Sequence, residues 1–437
     1  MASVVPPPVR LGHRTVVAVD LSRVDATITF DAAARQATAE ATVEFVVEGV
    51  DGCPAIDLRQ QVDRLRLDGS PLSVDAFSRD DLGGGPGAGM RVLDRSLAAG
   101  THHRLELGYR LETPDAEGAQ PVEWTDGGLR FDLWMSDLYP GRYLEMWLPA
   151  NLCHDRTALG VEIAVTGTSS LHQVVTNGAE TMLGAGRWLV EYPASFTALS
   201  PMLVLAPVDD LEIRRRTVGL SGRRRHLTVL TARLRDVDTD LASCEADIAG
   251  WLAANAARYG PWVHGERFTS VVWGAGRGME YDGATTASPA ALEHEVFHSW
   301  FGRGVKPARA SDGWIDEAWT SWATSSRRSE EGRFAEVELG LDEAPLVLCP
   351  PHPWSRQTPV ESYREGARFF GGLAHLLGGA GRLRSAMAEW YRANAGQLVT
   401  TDGLEAHLTA WSGVDVGPWF ARYVHGQGRG GREPDPS

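Results

Sequence analysis

Three side chains set the tightest limit on how this chain can fold. His294, Glu295 and His298 follow the order H-E-x-x-H, and Glu317 comes after eighteen further residues. Histidines four apart lie on one helix face with Cβ atoms about 5 to 6 Å apart, so both imidazoles can reach one tetrahedral Zn²⁺ at roughly 2.0 to 2.1 Å. Glu317 can be the third ligand to that single ion. Glu295 leaves the helix beside the metal, where it can take a proton from water held there. The pattern therefore asks for a helix pair that binds a metal. Ser288 and Pro289 suit the N-cap and first helical position, which predicts a helix over 290–300 stopped by Gly302. A second helix is predicted over 314–328, with Glu317 in its first turn. Two surface histidines on an ordinary helix are the competing reading, and these flanks weigh against it.

A length of 437 residues allows two or three domains. Hydrophobic residues at 43% and charged residues at 23% are those of a globular, water-soluble chain. The net charge of −15 argues against nucleic acid or an anionic membrane as partner. The arginine runs at 214–216 and 223–225 read as solvated faces, and Lys306, the only lysine, has no mechanistic meaning by itself. Cys53, Cys153, Cys244 and Cys349 are far apart and make neither a zinc knuckle nor a disulfide framework. Residues 1–13 read as a flexible N-terminus without an apolar leader core, and no apolar window is long enough to span a bilayer. A reduced, cytoplasmic enzyme follows as the expectation.

From residue 14 to 208 the pattern has a period of two, as in Val43, Phe45 and Val47 against Thr42, Glu44 and Glu48. Many such strands predict an antiparallel, saddle- or sandwich-like β domain. Glycines 83–89 lack a following Gly-Lys-Ser/Thr and read as a connection. From 209 to 425 the pattern turns mainly helical, with helices predicted over 236–258, 363–377, 380–393 and 401–411. The glycines at 274–278 follow a strand but lead into extended Met279, Glu280 and Tyr281, which excludes a dinucleotide turn. Residues 426–437 read as a disordered tail. The fold class is α+β and multidomain.

Several motifs together resemble the aminopeptidase N and leukotriene hydrolase group of zinc gluzincins. They are H-E-V-F-H-S-W-F-G at 294–302, then Val305, Pro307, Asp312, Trp314 and Glu317, the exopeptidase-like Gly278, Met279 and Glu280, and Tyr363-Arg-Glu-Gly366-Ala367, which looks like the family's Tyr-x-Lys-Gly-Ala. A weaker likeness to glycyl aminopeptidases lies in H-x-W and the downstream proline, and the eighteen-residue spacing favours the first group. The resemblance implies a thermolysin-like zinc domain behind the β domain, and an aminopeptidase acting on short peptides. It implies that Tyr363 stabilises the oxyanion, that Glu280 binds the substrate's α-ammonium, and that Gly278 and Met279 present backbone to an extended peptide. Glu145 is a weaker candidate for a second amine carboxylate.

The chain departs from the family at Tyr281, Asp316 and Ala318, where it usually has Asn, Asn and Gly. The fourteen positions from Glu280 to His294 are fewer than usual, and no large helical domain follows His425 to roof the cleft. Tyr281 could narrow the first pocket. Asp312 and Asp316 are candidates to orient a zinc-bound histidine, while the other eleven histidines sit in no ligand spacing. Two alternatives stay open. One is a zinc hydrolase of another kind, peptide-processing or epoxide hydrolase-like. The other is a catalytically silent peptide-binding protein of the same fold. The oligomeric state is not set by the sequence.

Overall fold

The computed structural model describes residues 5–85, 89–112, 122–137, 143–221, 226–274, 276–325, 334–355 and 358–427. The arginines at 223–225, residues 86–88 of the glycine run and the tail from 428 lie outside them. Among the described residues the N-terminal half has three sheets. The largest has eight strands, in the order 179–184, 187–192, 158–166, 19–31, 36–47, 102–110, 62–67 and 70–72. Gln36–Val47 shows why the pattern was readable, since buried and exposed residues alternate along nearly its whole length. A five-stranded and a four-stranded sheet complete this half.

Two features differ from the sequence expectation. The sheets are not wholly antiparallel: Ala158–Thr166 runs parallel to Val19–Asp31, and Arg14–Val17 parallel to Cys53–Ile56. Segments so far apart in the chain can pair parallel because long connections lie between them. The N-terminal lead is not all flexible either, for Val9–Leu11 pairs with Arg14–Val17.

A new sheet opens at Leu211, in the order 211–218, 227–234, 267–272, 284–287 and 278–281. One face of it joins the N-terminal core through Leu211, Ala232, Val271, Met279 and Tyr281. The other face carries the helices: α1 (Leu241–Tyr259), α2 (Leu292–Phe297), α3 (Trp314–Ser325), α4 (Glu361–Leu376), α5 (Ala380–Asn394), α6 (Thr401–Ser412) and α7 (Gly417–Tyr423). Their core is rich in aromatic rings, with Phe301 packed among Tyr259, Trp319, Trp390 and Tyr391. None of the described helices is long and apolar enough to cross a membrane, and no two of the four cysteines form a disulfide.

Polar ties join the two halves. Arg277 pairs with Asp132 and lies 4.0 Å over the Trp273 ring. Lys306, for which the sequence offered no role, is buried. Its Nζ lies 2.7 Å from Asp282 Oδ2 and donates to Ser200 Oγ at 3.1 Å and the Ser195 carbonyl at 3.3 Å.

Candidate metal centre

Helix α2 is shorter than predicted, six residues rather than the span 290–300. Ser288 and Pro289 precede it in a turn closed by Ala291 N–H on the Ser288 carbonyl, and Ala291, without a side-chain cap, holds the N-cap position. The helix ends because the amides of Ser299 and Trp300 bond three residues back and Gly302 takes φ +109°. The histidine pair survives this. His298 keeps helical angles as the C-cap and its amide bonds the His294 carbonyl at 3.3 Å.

The face that carries the two imidazoles meets the first turn of α3. His294 Nε2 stands 3.2 Å from Glu317 Oε2, and His298 Nε2 3.6 Å from the same oxygen. Ligands at 2.0 to 2.1 Å from a tetrahedral zinc would be about 3.3 Å from one another. The observed spacings bracket that value. His298 Nε2 is also buried without a hydrogen bond, whereas Nδ1 of the same ring is held by Asp316, by the Phe301 carbonyl at 3.1 Å and by Thr320 Oγ1 at 3.3 Å. A buried, orphaned ring nitrogen beside a carboxylate and a second imidazole fits a divalent metal ligand.

Asp316 is therefore the partner of a candidate ligand histidine. It fits there because Gly302 has no side chain: a Cβ would fall 2.1 Å from the Asp316 carboxylate oxygens. Asp312, the other candidate, instead accepts from the amide and hydroxyl of Thr401, both at 2.8 Å, and so ties the start of α6.

Tyr363 reaches the site from α4, its hydroxyl donating to Glu317 Oε1 at 2.8 Å. The approach depends on Gly366, which leaves room for the Ala318 methyl. Wholly buried, Ala318 packs against Gly366, where a Cβ would lie 2.4 Å from Ala318 Cβ. Two small residues let α3 and α4 come close enough for Tyr363 to touch Glu317.

Strand 278–281 supplies the opposite wall, and its alternation divides the labour. Met279 and Tyr281 point into the N-terminal core, and Tyr281 OH lies 3.4 Å from Thr286 Oγ1. This corrects the suggestion that Tyr281 narrows a pocket. Gly278 and Glu280 face α2. A Cβ on Gly278 would sit 2.4 Å from Glu295 Oε1, and the Glu295 carboxyl hydrogen-bonds that of Glu280. Of the three residues expected to align a peptide, Gly278 alone is exposed. The Met279 carbonyl accepts from Thr285 Oγ1 at 2.9 Å, and the Glu280 carbonyl from Arg303 Nε at 3.3 Å.

Two residues at the centre were not foreseen. Arg303, buried in the loop after α2, donates to Glu280 Oε1 at 2.7 Å. Asp137, from the N-terminal half, lies with Glu280 and Glu317 so that one oxygen of each falls within 4.8 Å of the others. Glu145 is buried in the turn Leu144–Met146, whose backbone bonds Arg59. A sequence signal existed for Arg303, as a charged residue inside the otherwise apolar run F-G-R-G-V, but none distinguished Asp137 from its neighbours.

Burial pushes Glu295, Glu317 and Glu280 upward; Glu280 reaches about 7, and its contact with Glu295 lifts that carboxyl further. Burial and then His298 lower His294, while for His298 the carboxylates of Asp316, Glu280 and Glu317 outweigh burial and hold it well above its usual value. A dication among these groups would favour the anionic carboxylate and the neutral imidazoles instead.

No protein-family model matches the chain, and no curated protein does. Solved structures do. An M1 zinc metallopeptidase of Deinococcus radiodurans, a glutamate-to-alanine mutant bound to a Tyr-Ser-Ala substrate, superposes with TM-score 0.65 at 17% identity over 96% of each chain. Legionella pneumophila aminopeptidase A in complex with aspartic acid gives TM-score 0.68 at 14% identity, over 96% of this chain and 51% of that one. Yeast LTA4 hydrolase gives 0.61 at 14% identity, over 96% and 69%. The chain has the fold of these enzymes, with a multi-sheet β half followed by a helical half, as the sequence implied.

Proposed function

We propose that this protein is a zinc aminopeptidase that releases N-terminal residues from short peptides. The observation that carries the reading is the orphaned Nε2 of His298 facing Glu317, with His294 3.2 Å and the Tyr363 hydroxyl 2.8 Å from the same carboxylate. His294, His298 and Glu317 would hold one Zn²⁺. Bound there, the ion would supply Lewis-acid polarisation of a scissile carbonyl and acidification of a water.

The chain's own groups do the rest. Glu295, held against Gly278 and Glu280, takes the proton of the attacking water and returns one to the leaving amine. Tyr363 donates its hydroxyl to the developing oxyanion, a role worth roughly 10² to 10³ in rate. Glu280 and Asp137 form an acidic corner that favours the substrate's α-ammonium, so the enzyme counts from the N-terminus. Gly278 presents backbone to the extended peptide. Peptide is thus the substrate class, and the domain division at 208/209 separates a supporting β half from the half that carries out the chemistry.

The test is metal analysis together with a panel of aminoacyl fluorogenic substrates, with E295Q as control. Stoichiometric zinc and hydrolysis that E295Q abolishes are expected. Zinc without Glu295-dependent hydrolysis would instead mark a peptide-binding protein of the same fold.

A further inference from the structure

The Glu280 carboxylate is not left to orient itself. One guanidinium grips it twice: Arg303 Nη2 donates to Glu280 Oε1 at 2.7 Å and Nε to the Glu280 backbone carbonyl at 3.3 Å. Fixing the side chain and the main chain of one residue with one rigid fork leaves the carboxylate a single orientation. The guanidinium is itself fixed from behind. Its Nη1 donates to the Gly302 carbonyl at 3.0 Å and lies 3.7 Å from Asp316 Oδ2, and Asp316 holds His298. The Arg303 and Glu280 side chains are 1% and 3% exposed, so water does not compete for these bonds.

The setting makes such a clamp necessary. Glu280 faces Asp137 and Glu317 within 4.8 Å and touches Glu295. Like charges this close repel strongly away from bulk water. Without a cation at its back, Glu280 would be driven out of the corner. Arg303, 2.7 Å from Glu280 Oε1, offsets that repulsion.

We infer that Arg303 is a positioning residue for substrate selection, holding Glu280 where it meets the cationic N-terminus of a peptide. This rests on the aminopeptidase reading of Glu280. Arg303 touches no reacting atom in this account and acts only through Glu280. Lysine in its place would keep the charge but could not bond side chain and backbone together.

Binding of two probes to the zinc-loaded full chain separates this from a merely structural ion pair. Leucine hydroxamic acid carries the amine, and 4-methylpentanehydroxamic acid is the same molecule without it. Titration calorimetry on the wild-type protein, R303Q and R303K gives the amine preference of each without requiring turnover. The wild type is expected to prefer the amine-bearing probe. R303Q is expected to lose roughly tenfold or more of that preference while binding the amine-free probe within about twofold of wild type, with R303K in between. R303Q with an undiminished preference, or with equal loss for both probes, overturns the inference and leaves the aminopeptidase reading standing. Wild-type protein with no preference overturns both. Should R303Q not fold, R303K decides: partial loss supports the clamp, and full wild-type preference refutes it.

Discussion

The contact between Gly278 and Glu295 allows a worked prediction that separates chemistry from folding. In G278A the new Cβ would lie 2.4 Å from Glu295 Oε1 and 3.3 Å from its Cδ, but 3.5 Å from the Ala291 methyl, an ordinary distance. Relief to ordinary contact requires the carboxylate to retreat by about 1 Å. Oε1 is the far end of a flexible side chain, so the backbone need not move, and stability should fall by no more than about 1 kcal/mol, the low end of overpacking costs. A displacement of about 1 Å in a proton-transferring group costs on the order of 10²-fold in rate. Steady-state kinetics on an aminoacyl amide, with zinc content and thermal melting measured on the same samples, provides the assay. The expected result is kcat down about a hundredfold with full zinc and a nearly unchanged melting temperature. Turnover within threefold of wild type would refute the claim that Glu295 acts from the position it now occupies.

Other outcomes follow from the same geometry. Y363F should lose roughly 10² to 10³ in kcat while retaining zinc, since the hydroxyl bonds Glu317 without being a ligand; zinc analysis and kinetics check both halves. D316N removes the charge behind His298 Nδ1 and should weaken zinc affinity about 10- to 100-fold, read by competition with a chromophoric chelator. K306M strands the buried Asp282 carboxylate and should cost about 3 to 5 kcal/mol in denaturant unfolding.

The periodic elements were the legible ones. Gln36–Val47 alternates visibly along nearly its whole length. Cys53–Ile56, Met90–Leu93 and Leu203–Pro207 are buried at every position, and the edge strand Ala179–Gly184 is exposed at every position, so neither kind shows a period of two. Within the centre, the sequence pointed to groups whose spacing is local: His294, His298 and their neighbour Glu295. Tyr363 and Glu280 required the family likeness, because only tertiary packing brings strand 278–281, α2 and α4 together. Arg303 and Asp137 are defined by what they face across the fold, which no spacing along the chain records. Asp312 and Asp316 show the same limit. Both suited a zinc-bound histidine on paper, and the room left by Gly302 decided for Asp316.

In the proposed enzyme, the acidic corner of Glu280 and Asp137 would make the metal centre read a free N-terminus. The most direct measurement compares kcat/KM for an aminoacyl amide and its N-acetylated counterpart on zinc-loaded protein. Acetylation, which removes the charge, is expected to lower kcat/KM by roughly a hundredfold or more. Equal cleavage of the two would contradict it.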